Sequence, residues 1–442
     1  MTPRRAIAVL LLLIAALAPA SAASVKVLNA VKGAQVWFAE DHTVPMIALT
    51  ASLPAGSAYD PSAKAGLAAF AAYLMDEGAG NLDSAAFQTA LANRAIQLSV
   101  APGRDSITVS LAVLSSDAKE AFRLLGLALS RPRFDAEAVS RVRAQMLQNL
   151  ELENGDPGSV AEKSFYSFYF GAHAYGHPVN GDKRSLVAIV PDDLRSFART
   201  HWVLGGLQIA IVGDVNAATA TSLLRSAFGS LPPQTPPPPP APAGVGAPGL
   251  HVIELDVPQP AAFFALPGLL RRDPDFLRGY VANYILGGGG FASRLTKEVR
   301  EKRGLTYDVS TDLVPDRRAG VLLGEVAARK DVLRQTIAVV RETMRKFAAD
   351  GPTQQELADA KTYLNGSFPL AFASDAGLAA QLNYFQQMGL GIDYLDKRAG
   401  LIDAISLAEV RRVARRLCDP SKMTIVVAGT LPKEKGGSSP SP

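Results

Sequence analysis

Asp193-Leu-Arg-Ser-Phe-Ala-Arg199 leads through Trp202 into Leu207-Gln-Ile-Ala-Ile-Val-Gly213, and the same design returns near the end of the chain. There, Glu409-Val-Arg-Arg-Val-Ala-Arg415 leads through Cys418 into Met423-Thr-Ile-Val-Val-Ala-Gly429. The apolar positions superpose at a constant offset of 216, with Leu194 on Val410, Phe197 on Val413, Ile209 on Ile425 and Gly213 on Gly429. A second pair agrees to within two residues of that offset: Asp135–Met146 matches Thr353–Leu364, and each follows another helical stretch, Asp117–Leu129 and Asp331–Phe347. An amphipathic helix followed by a short apolar strand, repeated once at so long a period, predicts two cores of similar plan.

Within each half the strands come in runs. Asp105–Val113 alternates apolar and polar residues as a half-buried strand does, and Val44–Leu53 and Val321–Ala328 are further strands. Blocks of helix follow them. The pattern predicts an α+β fold of two homologous domains, each a largely antiparallel sheet with helices layered on one face. The expected boundaries are 24–230 for the first domain, 231–249 for a Pro-rich linker and 250–432 for the second domain. The tract Leu231-Pro-Pro-Gln-Thr-Pro-Pro-Pro-Pro-Pro-Ala-Pro-Ala243 cannot form a helix or a central strand and reads as an extended, stiff spacer. Residues 433–442, rich in Gly, Ser and Pro, read as a disordered tail.

At the N-terminus, Arg4 and Arg5 precede an apolar run, Ala6–Ala18, and then the small residues around Ala20, Ala22 and Ala23. This is the three-part signature of a cleavable signal peptide, residues 1–23, and predicts export to the periplasm with no stable membrane anchor after cleavage. Removing it leaves 43 Lys and Arg against 41 Asp and Glu. With no basic block, nucleic acid is not an expected partner. The single cysteine, Cys418, excludes an internal disulfide.

The stretch Gly66-Leu-Ala-Ala-Phe-Ala-Ala-Tyr73, followed by Leu74-Met-Asp-Glu-Gly78, resembles the segment of the insulinase/pitrilysin-like (inverted zincin) peptidases that carries His-x-x-Glu-His after Gly-Leu-Ala. In that family two histidines one helical turn apart bind zinc and the adjacent Glu activates water. Here the three positions are Ala69, Ala72 and Tyr73, and the family's third ligand, a Glu on a later helix, falls at Asn149. The resemblance therefore implies a degenerate site with no metal and no cofactor in this chain. His173 and His177 sit in Gly-Ala-His-Ala-Tyr-Gly-His-Pro, where Gly176 and Pro178 make a loop, and read as packing or capping residues. Asp76 and Glu77 read as solvated end-of-helix charges.

Tyr284-Ile-Leu-Gly-Gly-Gly-Gly-Phe-Ala-Ser-Arg-Leu-Thr-Lys-Glu-Val-Arg-Glu-Lys-Arg-Gly-Leu-Thr-Tyr-Asp-Val309 reads locally as a helix ended by glycines, a Ser293 cap, a charged helix stopped by Gly304, and a strand entry. Two one-turn ion pairs are expected on that helix, Lys297–Glu301 and Glu298–Lys302. No strand–loop–helix context or Walker lysine supports phosphate binding by the glycines. The block resembles the second-half signature of the same peptidases, in which an Arg and a Tyr seven positions later face the zinc helix of the opposing half. By position these are Arg300 and Tyr307. The resemblance implies that Tyr307 donates to the tetrahedral oxyanion while Arg300 holds a substrate carbonyl.

Half of a composite active site is thus absent and half is present. The expectation is a zinc-free subunit that is inactive alone. It would form the clam-shell half of a heterodimer with an HxxEH-bearing homologous partner that brings the zinc and cleaves unfolded peptides. The alternative is a non-catalytic pseudo-peptidase serving as scaffold or peptide-binding module.

Overall fold

The computed structural model describes residues 24–244 and 246–431; the expected signal peptide and tail lie outside the described residues. Eleven strands are described: β1 (Val25–Val27), β2 (Gln35–Glu40), β3 (Met46–Leu53), β4 (Gln97–Pro102), β5 (Ile107–Leu114), β6 (Gln208–Gly213), β7 (Gly249–Ile253), β8 (Ala261–Pro267), β9 (Val309–Pro315), β10 (Gly320–Ala327) and β11 (Thr424–Ala428). They form two sheets, β1-β2-β6-β3-β5-β4 and β7-β11-β8-β10-β9. Setting β1 aside, the strand orders are the same, and each sheet has one parallel pair, β2/β6 and β7/β11, among antiparallel neighbours. The sequence repeat is therefore a repeat of topology. It extends to single residues: Gly213 and Gly429 end β6 and β11 with φ of 133° and 135°. A Cβ at Gly213 would stand 2.2 Å from the Met46 carbonyl oxygen, and one at Gly429 2.1 Å from Pro260, so only glycine fits either place.

Each half layers its own helices on one face of its sheet, over a core of its own. The first core gathers Leu49, Leu53, Phe70, Phe122, Val139, Phe197 and Ile211, and the second Phe264, Val281, Leu322, Met344, Val413 and Ile425. Helices Ala118–Ser130 and Ala217–Phe228 approach closely because Gly126 has no side chain: a Cβ there would meet the Ser226 carbonyl oxygen at 2.6 Å. Helix Gln354–Ser367 opens on a capping box between Thr353 and Glu356, and helix Leu407–Leu417 on one between Ser406 and Glu409.

The second face of each sheet takes a helix from the opposite half. Helix Pro157–Phe170 sets Phe165, Tyr166 and Tyr169 against Phe263, Ala265, Val321 and Val426 of the second sheet. Helix Asp375–Gln387 sets Leu378, Leu382 and Phe385 against Trp37, Ala39, Ala48, Ala210 and Val212 of the first. Polar side chains fasten that second helix: Gln386 Nε2 donates to the carbonyls of Gln35 and Ile209, both at 3.1 Å, and Asn383 Nδ2 to that of Gln208 at 2.9 Å. Among the described residues of the Pro-rich segment there is no helix or strand before β7, and the segment is fastened to the body. Pro232 and Gln234 carbonyls accept from Leu204 and Gly205 N–H, and Ala243 N–H donates to the Arg318 carbonyl.

Candidate functional site

The segment expected to carry the metal is helical only over Leu67–Tyr73. Gly66 precedes it in the left-handed region (φ 89°), and the buried Asp60 carboxylate accepts from the N–H groups of Gly66 (2.8 Å) and Ala68 (2.9 Å). Burial outweighs those two donors and pushes the Asp60 pKa up to about 7. Ala69 and Ala72 are fully buried in the first core, where they present methyl groups only. Tyr73, 36% exposed, donates its hydroxyl proton to Asn180 Oδ1 at 3.1 Å, and its partial burial raises its pKa, keeping the phenol neutral. Asn149 is exposed on helix Ala136–Gly155 and accepts from Gln145 Nε2 at 3.0 Å. A zinc ion asks for three or four nitrogen, sulfur or carboxylate donors converging on one point. Two methyls, a neutral phenol and a carboxamide do not fit it. Among the described residues no cluster of three or more His, Cys, Asp or Glu is placed to hold a metal.

Both nitrogens of His173 are occupied: Nδ1 accepts from Tyr175 N–H at 3.1 Å, and Nε2–H donates to the Ala241 carbonyl at 2.9 Å. Capping and linker fastening are its roles. Asp76 and Glu77 are not solvated end charges. Asp76 is half-buried and accepts from Gln88, and Glu77 is half-buried against Arg141 and Ser84. Arg141 and Ser84 come from other elements, which a reading of the local sequence could not supply.

In the second half, Ser293 is fully buried and its Oγ accepts from Thr296 N–H at 3.2 Å, as a cap should. The charged helix winds with wide turns over Thr296–Glu301. Its cations divide into two kinds. Arg294 forks onto Glu356 at 2.7 and 2.8 Å, and Lys302 and Arg303 share Glu298. The expected Lys297–Glu301 pair does not form among the described residues. Arg300 has no carboxylate partner among the described residues: its guanidinium lies over the Phe291 ring, 4.7 Å from the centroid. Tyr307 is 83% exposed in the turn entering β9, and its hydroxyl has no hydrogen-bond partner among the described residues. No hydrogen bond, ion pair or ring contact joins Arg300 or Tyr307 to the Leu67–Tyr73 helix among those residues. Phe291, 67% exposed, was not foreseen; an unprotected aromatic after four glycines was the signal for it.

With this geometry in place, comparison with known proteins decides the family. Residues 35–183 match the model of the insulinase family (peptidase family M16), and residues 188–364 match the M16 inactive-domain model. The chain belongs to the insulinase (M16) peptidase family. Among M16 relatives, a non-peptidase homologue from Helicobacter pylori, YmxG, is 26% identical over 402 residues, covering 90% of this chain and 93% of that protein. An uncharacterized zinc protease of Streptomyces coelicolor, SCO5738, is 28% identical over 69% of this chain and 67% of its own length. The crystal structure of a peptidase M16 inactive domain from Pseudomonas fluorescens superposes with a TM-score of 0.89 at 29% identity, covering 93% of this chain and 99% of that one. This M16 chain is peptidase-like in fold and lacks the donors of an M16 zinc site.

Proposed function

We propose that this protein is the zinc-free subunit of a periplasmic heterodimeric metallopeptidase. In this reading Arg300 and Tyr307 serve substrate binding and oxyanion stabilisation for an HxxEH-bearing homologous partner that supplies zinc and cleaves unfolded peptides. The observation that carries the reading is the state of that pair. In a helix whose other arginines are ion-paired, Arg300 meets an aromatic ring and no carboxylate among the described residues, and Tyr307 is exposed with its hydroxyl unpartnered among them. Donors exposed in this way can meet a charge that arrives with the substrate. Peptide would add as a strand to a free sheet edge, main-chain hydrogen bonds giving affinity with little sequence preference. The N-terminal signature at Arg4, Arg5 and Ala6–Ala18 supports export.

A second reading, a non-catalytic peptide-binding or scaffold protein, is favoured by the non-peptidase name of the Helicobacter relative and the inactive-domain description of the Pseudomonas structure. Purification from the native cell, followed by peptidase assays of wild type, Arg300→Ala and Tyr307→Phe with whatever co-elutes, separates the two. The composite-peptidase reading expects a co-eluting HxxEH protein and a loss of about a hundredfold in either variant. A complex that cleaves equally well with both variants, or no such partner, leaves the binding role.

A further inference from the structure

Beside the degenerate helix lies a cleft of about 170 Å³ lined by Arg104, Glu153, Ser159, Glu162, Lys163, Tyr166 and the 178–180 turn, with Glu162 exposed at its rim. Asn180, at its rim, is the residue that receives the Tyr73 hydroxyl proton, so the cleft adjoins the place where other members of the family carry metal. Its charges are not equally engaged. Lys163 is paired with Glu153 at 2.6 Å. Arg104, on the turn between β4 and β5, has neither a hydrogen bond nor an ion pair on its guanidinium among the described residues, and its Nε is buried without an acceptor. The guanidinium carbon lies over the Tyr166 ring, 3.4 Å from its centroid. Tyr166 is itself buried and stacked on Phe170, so the ring beneath Arg104 is held in place.

A half-buried guanidinium that no carboxylate of the described residues engages through a hydrogen bond leaves its donors free for a ligand. Its planar fork matches a carboxylate, which it can hold through two parallel N–H···O bonds. Asp316 is near enough to feel Arg104 electrostatically but forms no ion pair with it. Ser159 and Asn180 add short polar groups around the same opening.

We infer that this cleft binds a peptide carboxylate on Arg104, with the chain terminus as its source, so that the face that lost its zinc ligands now anchors the end of a peptide. The inference deepens the proposed function, resting on its premise that the protein handles unfolded peptides; it needs neither the partner subunit nor the Arg300–Tyr307 pair.

The test is fluorescence polarisation of the purified chain, without partner, against an unstructured peptide labelled at its N-terminus. Three forms of the peptide are compared: free C-terminal acid, C-terminal amide, and an amide carrying an internal Asp. The free acid is expected to bind about tenfold or more tightly than the plain amide. Arg104→Gln should bring the acid down to the amide's affinity while leaving the amide unchanged. Ser159→Phe, which fills the cleft without touching Arg104, should do the same, and melting curves verify that both variants are folded. Equal binding of acid and amide, or equal losses for both in Arg104→Gln, overturns the inference. An internal-Asp amide that binds as tightly as the free acid, in an Arg104-dependent way, overturns the chain terminus as the source while retaining the carboxylate site. Binding of every form that is insensitive to Arg104 leaves the peptide-handling premise intact and removes only this site. No binding of any form overturns the inference and counts against the premise as well.

Discussion

The Arg300 guanidinium sits 4.7 Å above the centre of the exposed Phe291 ring, and it has no carboxylate partner among the described residues. An exposed cation–π contact contributes on the order of 0.5–1 kcal/mol, enough to orient a long side chain and too little to immobilise it. Phe291→Leu should therefore lower kcat/KM of the reconstituted complex about two- to fivefold, against about a hundredfold for Arg300→Ala. Because Phe291 is largely exposed, the melting temperature should stay within a degree or two of wild type. A Phe291→Leu variant as impaired as Arg300→Ala would mean that the ring itself meets the substrate.

Restoring the lost ligands should not restore a metal site. Ala69 and Ala72 have no exposed surface, so a histidine and a glutamate there must displace neighbouring side chains of the first core. Overpacking costs roughly 1–3 kcal/mol per site, and burying the polar groups adds to it. The variant Ala69→His, Ala72→Glu, Tyr73→His, Asn149→Glu is expected to melt well below wild type and to carry substoichiometric zinc by elemental analysis. A folded variant holding one zinc per chain would show that only the ligands, and not the cavity around them, had been lost.

The sequence carried the duplication because strands β6 and β11 are central in their sheets, and burial on both faces demands the same short apolar run and terminal glycine. It carried the vacancy at Ala69, Ala72 and Tyr73 because a missing donor is visible without coordinates. It could not carry the exchange of helices between halves. Pro157–Phe170 and Asp375–Gln387 each read as ordinary partly apolar helices, and which sheet they cover is fixed by contacts with strands of the other half, far away in the sequence. Arg104 was invisible for the same reason: that no carboxylate of the described residues pairs with it, while Glu153 in the same cleft pairs with Lys163, is a fact of packing.

Asp60 makes stability fall with pH. Its folded pKa is raised to about 7 from an unfolded value near 3.8, so between those limits the folded state binds more protons than the unfolded state. Stability from this group is therefore fully present below about pH 4 and is lost as pH rises through 7, with a slope of at most about 1.4 kcal/mol per pH unit. Denaturation midpoints of wild type and Asp60→Asn, measured from pH 4 to 8, should diverge in slope, the variant being flatter. Parallel curves would show that the two backbone N–H donors keep Asp60 ionised throughout.

Each sheet is closed by a helix from the other half, so the halves should not unfold separately. Both tryptophans, Trp37 and Trp202, report on the first half, and Trp37 lies beneath helix Asp375–Gln387 of the second. In wild type, tryptophan fluorescence and far-UV circular dichroism should give one coincident urea transition. Gln386 and Asn383 are buried, and between them they hold the carbonyls of Gln35, Ile209 and Gln208. Replacing both by Leu strips three hydrogen bonds from backbone carbonyls, of which that of Ile209 is buried and those of Gln35 and Gln208 partly so, at roughly 1–3 kcal/mol for a buried acceptor left without a substitute. The double variant should shift the midpoint down by an amount on the order of 2–4 kcal/mol and separate the two probes, fluorescence changing first. Two resolved transitions already present in wild type would mean that the exchanged helices dock without coupling the cores, and the molecule would then be two domains in contact instead of one cooperative body.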